Sequence, residues 1–536
     1  MPKNVENKGL KFDFNSYFDL PNPGLVSYFD MVRKGNDEEY RTPFFKGKAI
    51  SEVLDGWRQT LETISDKWPT LWEFENDLAS KVGPMSIMKP LSERMDDIDH
   101  YYEDILLPQN PISDRAIKAV LAEWSAVRGL HARSYNDTVA NMKLSTNSGS
   151  PYFTKRRVVQ EKHPWSQVAH ASQGFTTMYD DQKWMATAIL GWRGQEGGPN
   201  DDDVKQRVVW MFPYYVNIAE LQIYQPLIEG AQRHELVPAW VSMESVDAAI
   251  TRLFDTKAPN DLIVCTDFTK FDQHFNPVCQ DAARSILSDI IARPSKSQMW
   301  LDSVFPIKYD IPLAYDYQQI RTGRHGMASG SGGTNADETL VHRALQYEAA
   351  QAVGQRLNPN SQCLGDDGIL SYPGITVEDV TRSYTAHGLE MNLSKQYASA
   401  QDCTYLRRWH HNKYRVNGVC VGVYSTCRAL GRLMEQERYY DPESWGKEQV
   451  ALRQLSILEN VKWHPLKEQF VAYCMKGDKY RLGLDIPGFL DNIQAIARES
   501  IDNMPDFLGY TKSLQNSDPA QGIADWWIVK YLKSLA

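Results

Sequence analysis

Gly365-Asp366-Asp367 is the feature of this sequence that most restricts how the chain can fold. Short apolar runs on both sides, Cys363-Leu364 and Ile369-Leu370, predict a β-hairpin with two adjacent carboxylates at its turn. Neighbouring like charges are unfavourable unless a cation lies beside them. Taken alone, the pattern is also typical of an ordinary surface turn.

A second acidic element, 99 residues upstream (366 − 267 = 99), argues against an ordinary turn. The apolar run 262–265 leads there into the segment 266–272, which contains Asp267 and Asp272. A buried strand that ends in an acid and faces an acidic hairpin can assemble a two-metal phosphoryl-transfer site. We therefore predict Asp267, Asp366 and Asp367 as ligands of Mg²⁺, with Mn²⁺ as an alternative ion. Asp366 is the expected direct ligand, and Asp367 a secondary one.

Asp272 follows Asp267 by five residues, an odd offset that would separate the two side chains on a continuous strand. We expect a turn at Thr269-Lys270 that brings Asp272 into the same cleft. A carboxylate there can accept a hydrogen bond from a ribose hydroxyl. An acid that stabilises a helix N-terminus fits the same position.

Two other segments predict contacts with nucleotide or RNA. In the glycine-rich stretch 326–334, glycines such as Gly330 allow close backbone approach, and Ser329 and Thr334 supply hydroxyl donors. Lys205 and Arg207 alternate along a predicted strand, with Arg193 in a predicted loop (191–203) before it. Such cations can hold a triphosphate. A flexible loop and a solvated edge strand are the alternatives.

Length, composition and net charge limit the classes of protein to which this chain can belong. A chain of 536 residues is too long to fold around one hydrophobic core, and its length predicts about three packed subdomains. Its 42% hydrophobic and 24% charged residues are typical of a globular protein, and no apolar stretch approaches the roughly 20 residues that span a bilayer. Seven cysteines without metal-type spacing fit a reducing compartment. The net charge of −10 excludes non-specific coating of duplexes, but not a locally basic channel.

In their order along the chain, these motifs resemble those of viral RNA-dependent RNA polymerases. The resemblance is closest to the picobirnavirus enzymes, with partitiviruses as relatives, and covers about residues 145–425 by motif. It implies an α+β closed right hand, with an antiparallel palm sheet backed by helices and largely helical fingers and thumb. The implied domains are an extension bridging fingers and thumb (1–90), fingers (91–215), palm/fingers (216–260), palm (261–280), fingers (281–325), palm (326–425), and thumb with a C-terminal element (426–536).

The resemblance also assigns residue roles. It implies that Lys395 protonates pyrophosphate, that the loop containing Ser148, Gly149 and Ser150 guides the template, and that Arg407 and Arg408 contact RNA. Several positive-strand viral enzymes carry a ribose-binding Asn nine residues after the motif serine. Glu338 stands there in this chain, with Asp337 and Asn335 nearby, so the ribose contact stays open between them.

The expected function is RNA synthesis from ribonucleoside triphosphates on an RNA template, in genome replication and transcription of a double-stranded RNA virus. Initiation without a primer is expected, and the aromatic terminus (Trp526, Trp527, Tyr531) could stack the first base or merely form the buried face of a helix. Expected partners are template and product RNA, nucleotides and a capsid protein, with no membrane. The expected location is the virion interior and the host cytoplasm.

Two alternatives were weighed against this function. A reverse transcriptase usually has a bulky aromatic residue where this chain has Leu364, and a non-acidic steric gate where it has Asp272. A non-catalytic, capsid-associated RNA-binding protein would not need the intact acids at 267, 366 and 367. Both comparisons favour RNA synthesis.

Overall fold

The computed structural model describes residues 24–162, 168–171, 174–179, 182–293, 295–500 and 522–536. Residues 1–23 of the predicted extension and 501–521 of the predicted thumb region lie outside the described residues. The α-helices are Gly24–Lys34, Ile50–Leu61, Pro69–Lys81, Leu91–Glu103, Asp114–Glu123, Tyr135–Ala140, Arg156–Lys162, Tyr214–Arg233, Pro238–Val241, Met243–Thr256, Phe271–His274, Pro277–Ile290, Ser295–Ser303, Ile307–Asp310, Thr334–Ala352, Val377–Thr385, Thr426–Met434, Lys447–Glu459, Lys467–Lys476, Ile493–Ser500 and Trp527–Ser534. The strands are Tyr40–Arg41, Val168–Ala171, Gly174–Tyr179, Gln182–Met185, Ala188–Gln195, Lys205–Met211, Ile263–Thr266, Leu313–Asp316, Gln319–Arg321, Gln362–Leu364, Asp367–Leu370, Tyr397–Ser399, Asp402–Tyr405, Arg408–His411, Val423–Tyr424 and Glu435–Gln436.

An antiparallel sheet, here named the acidic sheet, carries the predicted metal ligands. Its strand order is Gln362–Leu364, Asp367–Leu370, Ile263–Thr266, Tyr397–Ser399. The predicted hairpin is confirmed, since Leu364 pairs with Asp367 and leaves Gly365 and Asp366 as a two-residue turn. Thr266 pairs with Gly368. One step further along this register, Asp267 lies opposite Asp367 at the same end of the sheet.

The helix Thr334–Ala352 packs against the acidic hairpin. Its apolar side chains, such as Leu340 and Leu345, are buried in the main core. Its Gln346 side-chain amide donates hydrogen bonds to two hairpin carbonyls, those of Gln362 at 2.9 Å and Ile369 at 3.2 Å. These bonds tie the base of the hairpin to the helix.

A second hairpin, here named the basic hairpin, pairs Ala188–Gln195 with Lys205–Met211. The prediction of a loop from 191 onward was therefore wrong for its first residues. Gly194 serves close packing, because a Cβ there would lie 1.9 Å from the carbonyl oxygen of Met85. Arg193 accordingly lies on a strand, directly opposite Arg207.

Apolar residues between 112 and 141, such as Ile117, Val120 and Val127, have the spacing that predicts a helix, but the segment does not form one helix. The helix Asp114–Glu123 ends before a 3₁₀ turn, and Gly129 adopts a left-handed conformation with φ of 86°. The amides of Gly129 and Leu130 both donate to the carbonyl of Ile290. The continuous pattern is therefore broken by pairing with a distant helix end.

A further core, here named the C-terminal core, combines side chains from residues 44–71 with side chains from residues 409–532. Trp57 and Leu61 from the helix Ile50–Leu61 are buried with Leu430 and Leu455. Tyr40–Arg41 also pairs with Glu435–Gln436 as a short antiparallel sheet. Within the described ranges, no helix is both long and apolar enough to cross a membrane.

Candidate active site

Asp267, Asp272 and Asp366 meet at one end of the acidic sheet. The expected turn before Asp272 is present, since Lys270 has a φ of 49° and precedes the short helix Phe271–His274. Asp366 is exposed at the turn but surrounded by protein within the cleft. The resulting desolvation, followed by the charge of Asp272, raises the pKa of its carboxyl, and the charge of Asp267 adds to this effect. Arg207 opposes the shift, which places its guanidinium within electrostatic reach of the turn.

Asp367 has a different environment from its neighbour. Its Oδ2 accepts a hydrogen bond from the Leu406 amide at 2.8 Å. Burial and the charge of Asp366 raise the pKa of Asp367 to about 7. Leu406 and Arg407 form a turn in which both φ angles are positive, 51° and 59°. Asp367 thus anchors a strained turn through its side chain.

Gln396 holds the backbone of Asp267 from the edge strand side. Its Oε1 accepts a hydrogen bond from the Asp267 amide at 2.7 Å, and its Nε2 donates to the Asp267 carbonyl at 2.9 Å. Lys395, one residue earlier, lines the same cavity as Asp267 and Asp367. Sequence reasoning missed Gln396, although its position next to Lys395 was a usable signal.

Glu338 is the residue that contacts the predicted ribose sensor. Its carboxyl forms a hydrogen bond with Asp272, and burial and the Asp272 charge raise the pKa of Glu338 well above its usual value. Asp337 is buried elsewhere and accepts from Tyr224, Tyr309 and Lys308.

The glycine-rich loop packs against the basic hairpin. The Ser329 hydroxyl donates to the Val208 carbonyl at 3.1 Å, and the Thr334 hydroxyl donates to the Ala328 carbonyl at 3.2 Å. A Cβ on Gly330 would lie 1.5 Å from the Trp210 carbonyl oxygen. Gly330 therefore allows close packing against the basic hairpin, and its contact with RNA stays a prediction. Asn335, a predicted substrate ligand, accepts a hydrogen bond from the indole of Trp240 at 2.7 Å.

Basic side chains converge beside the acids. A cavity of roughly 500 Å³ is lined by Asp267, Asp367, Lys205, Arg407 and Arg428, among others. Burial, followed by the charges of neighbouring cations including Arg407, lowers the pKa of Lys205. Burial and Arg428 likewise lower the pKa of Arg407 to about 10. This concentration of like charge suits a polyanionic ligand such as a triphosphate.

Glu196 is an anion placed among these cations. It accepts a hydrogen bond from Arg428 at 2.9 Å and lies 3.6 Å from Arg407. Although burial disfavours its charged form, Arg428 and Arg407 lower the pKa of Glu196. Arg193, predicted to bind substrate, instead makes a bidentate ion pair with Glu437 at 3.0 and 3.1 Å.

Three predicted RNA contacts, Ser148, Ser150 and Arg408, have buried side chains. Ser148 is fully buried, Ser150 is nearly so, and Gly149 packs against the Phe212 carbonyl, where a Cβ would lie 1.9 Å away. Arg408 is also buried and donates to Asn460 at 3.4 Å. These residues are packed within loops and strands of the protein, and their contact with RNA stays a prediction. Arg407 does face the cavity.

Comparison with known proteins agrees with this geometry. The family described as viral RNA-dependent RNA polymerase matches residues 84–435. The chain belongs to this family. A "Potential RNA-dependent RNA polymerase" of human picobirnavirus (strain Human/Thailand/Hy005102/-) is 60% identical over 526 residues, which is 97% of this chain and 98% of that protein.

Solved structures extend the likeness to the viral polymerase fold. The crystal structure of the RNA-dependent RNA polymerase of a human picobirnavirus matches with a TM-score of 0.92 and 60% identity, covering 97% of this chain and 98% of that one. An insertion loop deletion mutant matches with a TM-score of 0.90 and 58% identity over the same shares. The predicted α+β right-hand fold is therefore confirmed, and the protein is an RNA-directed RNA polymerase.

The acids of this polymerase fit a divalent cation with hard oxygen ligands. Within the described parts of the chain, no three His, Cys, Asp or Glu side chains are grouped so that they could hold a metal ion by themselves. An open set of carboxylates suits Mg²⁺, which retains waters and takes substrate phosphates as further ligands. Desolvation, followed by the charge of Asp272, raises the pKa of Asp366, and a cation beside these carboxylates would oppose that shift.

Proposed function

We propose that the polymerase joins ribonucleotides by two-metal nucleotidyl transfer, with Asp267 and Asp366 as ligands and Asp367 as a supporting one. The meeting of Asp267, Asp272 and Asp366 opposite Arg207 is the observation that carries this proposal. Mg²⁺ bound there, or Mn²⁺ in its place, would polarise the phosphate and lower the pKa of the attacking 3′-hydroxyl.

Each neighbouring side chain has a distinct part in the proposed reaction. Arg207 and Lys205 bind the triphosphate, and the planar guanidinium can bind two phosphate oxygens at once. Asp272, held by Glu338, accepts a hydrogen bond from the ribose 2′-hydroxyl. Lys395, which lines the same cavity, donates a proton to the departing pyrophosphate.

Incubation of purified protein with an RNA template, Mg²⁺ and either ribo- or deoxyribonucleotides tests this function. We expect incorporation of ribonucleotides, lost in Asp366→Asn and Asp267→Ala but retained in the surface control Asp316→Asn. Asp316 pairs with Arg33 and lies on the strand Leu313–Asp316, which is not part of the acidic sheet. Incorporation of deoxyribonucleotides would indicate a reverse transcriptase, and RNA binding without incorporation a capsid-associated binding protein. Near-normal activity of both active-site variants would contradict the metal-ligand roles.

We also propose that synthesis starts without a primer and that the terminal aromatics support the first nucleotide. Trp527 and Tyr531 stack on each other with ring centroids 5.3 Å apart and are only partly buried. Their neighbours Ile528 and Leu532 are fully buried in the C-terminal core. Trp527→Ala should reduce unprimed synthesis more than primed synthesis. Equal loss of both would assign the aromatic pair to packing alone.

The proposed setting is replication and transcription of a double-stranded RNA genome inside the virion, in the host cytoplasm. The similarity to a polymerase of human picobirnavirus supports this setting. A capsid protein would then be the partner. Co-sedimentation of the polymerase with assembled empty capsids tests the contact, and free migration of the polymerase would contradict it.

A further inference from the structure

The turn that presents Asp366 is short and leaves its own polar groups outside the sheet. Gly365 is the first central residue of the two-residue turn and has a φ of 55°. Its amide and carbonyl take no part in the pairing of Leu364 with Asp367. Buried backbone groups of this kind need partners from elsewhere in the protein.

Both partners come from the helix Thr334–Ala352. The Gly365 amide donates to the hydroxyl oxygen of Thr339 at 2.9 Å. The Nδ1 of His342 lies 2.8 Å from the Gly365 carbonyl oxygen. Because a carbonyl can only accept, His342 must carry its proton on Nδ1. Thr339 and His342 are both buried, so neither bond competes with water.

His342 also explains the second glycine of the hairpin. A Cβ on Gly368 would lie 2.6 Å from the Nε2 and Cε1 atoms of His342. The imidazole is fixed among aromatic rings, with Phe268 at 5.2 Å and Tyr384 at 6.0 Å between centroids. The ring therefore fills the space under the two acids and cannot swing away.

The helix presents these side chains along one face. Asn335, Glu338, Thr339 and His342 follow the spacing i, i+3, i+4, i+7, which places them on one stripe. A Cβ on Gly365 would lie 3.5 Å from a Glu338 carboxyl oxygen and 3.8 Å from the Asn335 amide nitrogen. One helix face thus contacts the turn and also carries Glu338, the residue bonded to the predicted ribose sensor Asp272.

We propose that Thr339 and His342 are positioning residues that clamp the Gly365 peptide and so fix the direction of the Asp366 carboxylate. The inference rests on the proposed metal-binding role of Asp366. A clamp of this kind leaves nucleotide binding intact and acts on the chemical step and on metal affinity. Loss of a side chain that orients a metal ligand typically lowers activity or metal affinity roughly 10- to 100-fold.

Conservative pairs of variants test the clamp. His342→Asn keeps an amide donor near the position of Nδ1, whereas His342→Gln moves it to the position of Nε2. Thr339→Ser keeps the hydroxyl, whereas Thr339→Val removes it. Tyr347→Phe is the matched control, because it removes a hydrogen bond from the same helix to Glu123, away from the turn.

The measurements are kcat and nucleotide KM on a preformed primer–template, Mn²⁺ binding by electron paramagnetic resonance without nucleotides, and Tm. For His342→Gln and Thr339→Val we expect roughly 10- to 100-fold losses in kcat and weaker Mn²⁺ binding, with KM and Tm near those of Tyr347→Phe. His342→Asn and Thr339→Ser should recover most of the loss. Equal losses in His342→Asn and His342→Gln, or kcat values equal to that of Tyr347→Phe, would overturn the clamp.

Asp366→Asn, measured in parallel, separates this inference from the proposed function. If Asp366→Asn keeps Mn²⁺ binding and kcat, the metal-ligand role itself fails. If Asp366→Asn loses both while His342→Gln and Thr339→Val stay at the level of Tyr347→Phe, only the clamp fails.

Discussion

Asp272 and Glu338 are the residue pair on which we expect sugar selection to depend. Asp272→Ala should reduce the preference for ribo- over deoxyribonucleotides roughly ten- to hundredfold, because a charge-assisted hydrogen bond contributes about 1.5–3 kcal/mol. The ratio of kcat/KM for the two sugars measures this. Glu338→Gln is the control: its amide can still donate to Asp272, so most of the preference should remain. An unchanged ratio in Asp272→Ala would give that residue a structural role.

Arg207 should act on nucleotide binding. Arg207→Ala is expected to raise the nucleotide KM, on the order of tenfold or more, since removing a hydrogen bond to a charged group costs about 1.5–3 kcal/mol. Arg207→Lys should restore only part of the lost nucleotide affinity, because an ammonium group replaces a guanidinium that can bind two phosphate oxygens at once. Arg193→Ala is the matched control across the strand pair, since Arg193 is engaged with Glu437. A fall in template affinity without a change in KM would place Arg207 in the RNA path.

The sequence predicted the acids well because their position depends on local pattern. An apolar run before Asp267 and a hairpin around Asp366 are visible in a few neighbouring residues. Burial is not local, so the sequence could not show how Ser148, Gly330 and Arg408 are packed. Each of these residues has a polar or flexible character that fits RNA binding, and each is buried or closely packed by elements distant in sequence.

At the scale of elements, the contact between the helix Tyr214–Arg233 and the glycine-rich loop contains a buried titratable group. Glu220 accepts hydrogen bonds from the Ser331 hydroxyl and the Gly332 amide, with Lys308 and Asp337 nearby. Burial raises the pKa of Glu220 to about 7. The folded state therefore retains a proton that the unfolded chain has lost above pH of roughly 4.5.

The sign of the pH effect follows from that raised pKa. The stabilisation from Glu220 is complete below pH of roughly 4.5 and is lost as the pH rises through about 7. Glu220→Gln should therefore gain stability relative to wild type between pH 5 and pH 8, on the order of 2 kcal/mol. Thermal unfolding at both pH values measures this difference. Glu229→Gln, on the exposed face of the same helix, should follow the wild-type profile.

Glycine explains why two elements were mispredicted. Glycine-rich composition predicted a loop at 191–203, yet Gly194 lies in a strand that needs the absence of a Cβ beside Met85. Apolar spacing predicted an unbroken helix over 112–141, yet Gly129 allows a left-handed residue where the chain pairs with Ile290. In both cases a contact with an element distant in sequence decides which backbone conformation the glycine adopts. The helix Thr334–Ala352, by contrast, is buried along most of its length.

At the scale of the whole molecule, Glu196 joins the basic hairpin to the helix Thr426–Met434 through Arg428. Glu196→Gln should lower Tm clearly, since removing one member of a buried ion pair costs about 3 kcal/mol. Glu437→Gln breaks the more exposed pair with Arg193 and should cost no more than about 1 kcal/mol. The order of the two Tm values is the measurement. A Glu437→Gln variant less stable than Glu196→Gln would contradict the proposed stabilising effect of the Glu196–Arg428 ion pair.

The C-terminal core has a consequence for how the protein is made. The Trp57 indole donates to Thr426 across 369 residues of chain, and Tyr473 donates to the Val53 carbonyl across 420. At about 5–20 residues per second, a ribosome needs roughly 20 to 70 s after making Trp57 to supply Thr426. During that time the apolar face of the helix Ile50–Leu61 has no permanent cover. The helix Ile50–Leu61 is thus packed only late in synthesis, and termination before the 420s leaves its apolar face exposed to aggregation.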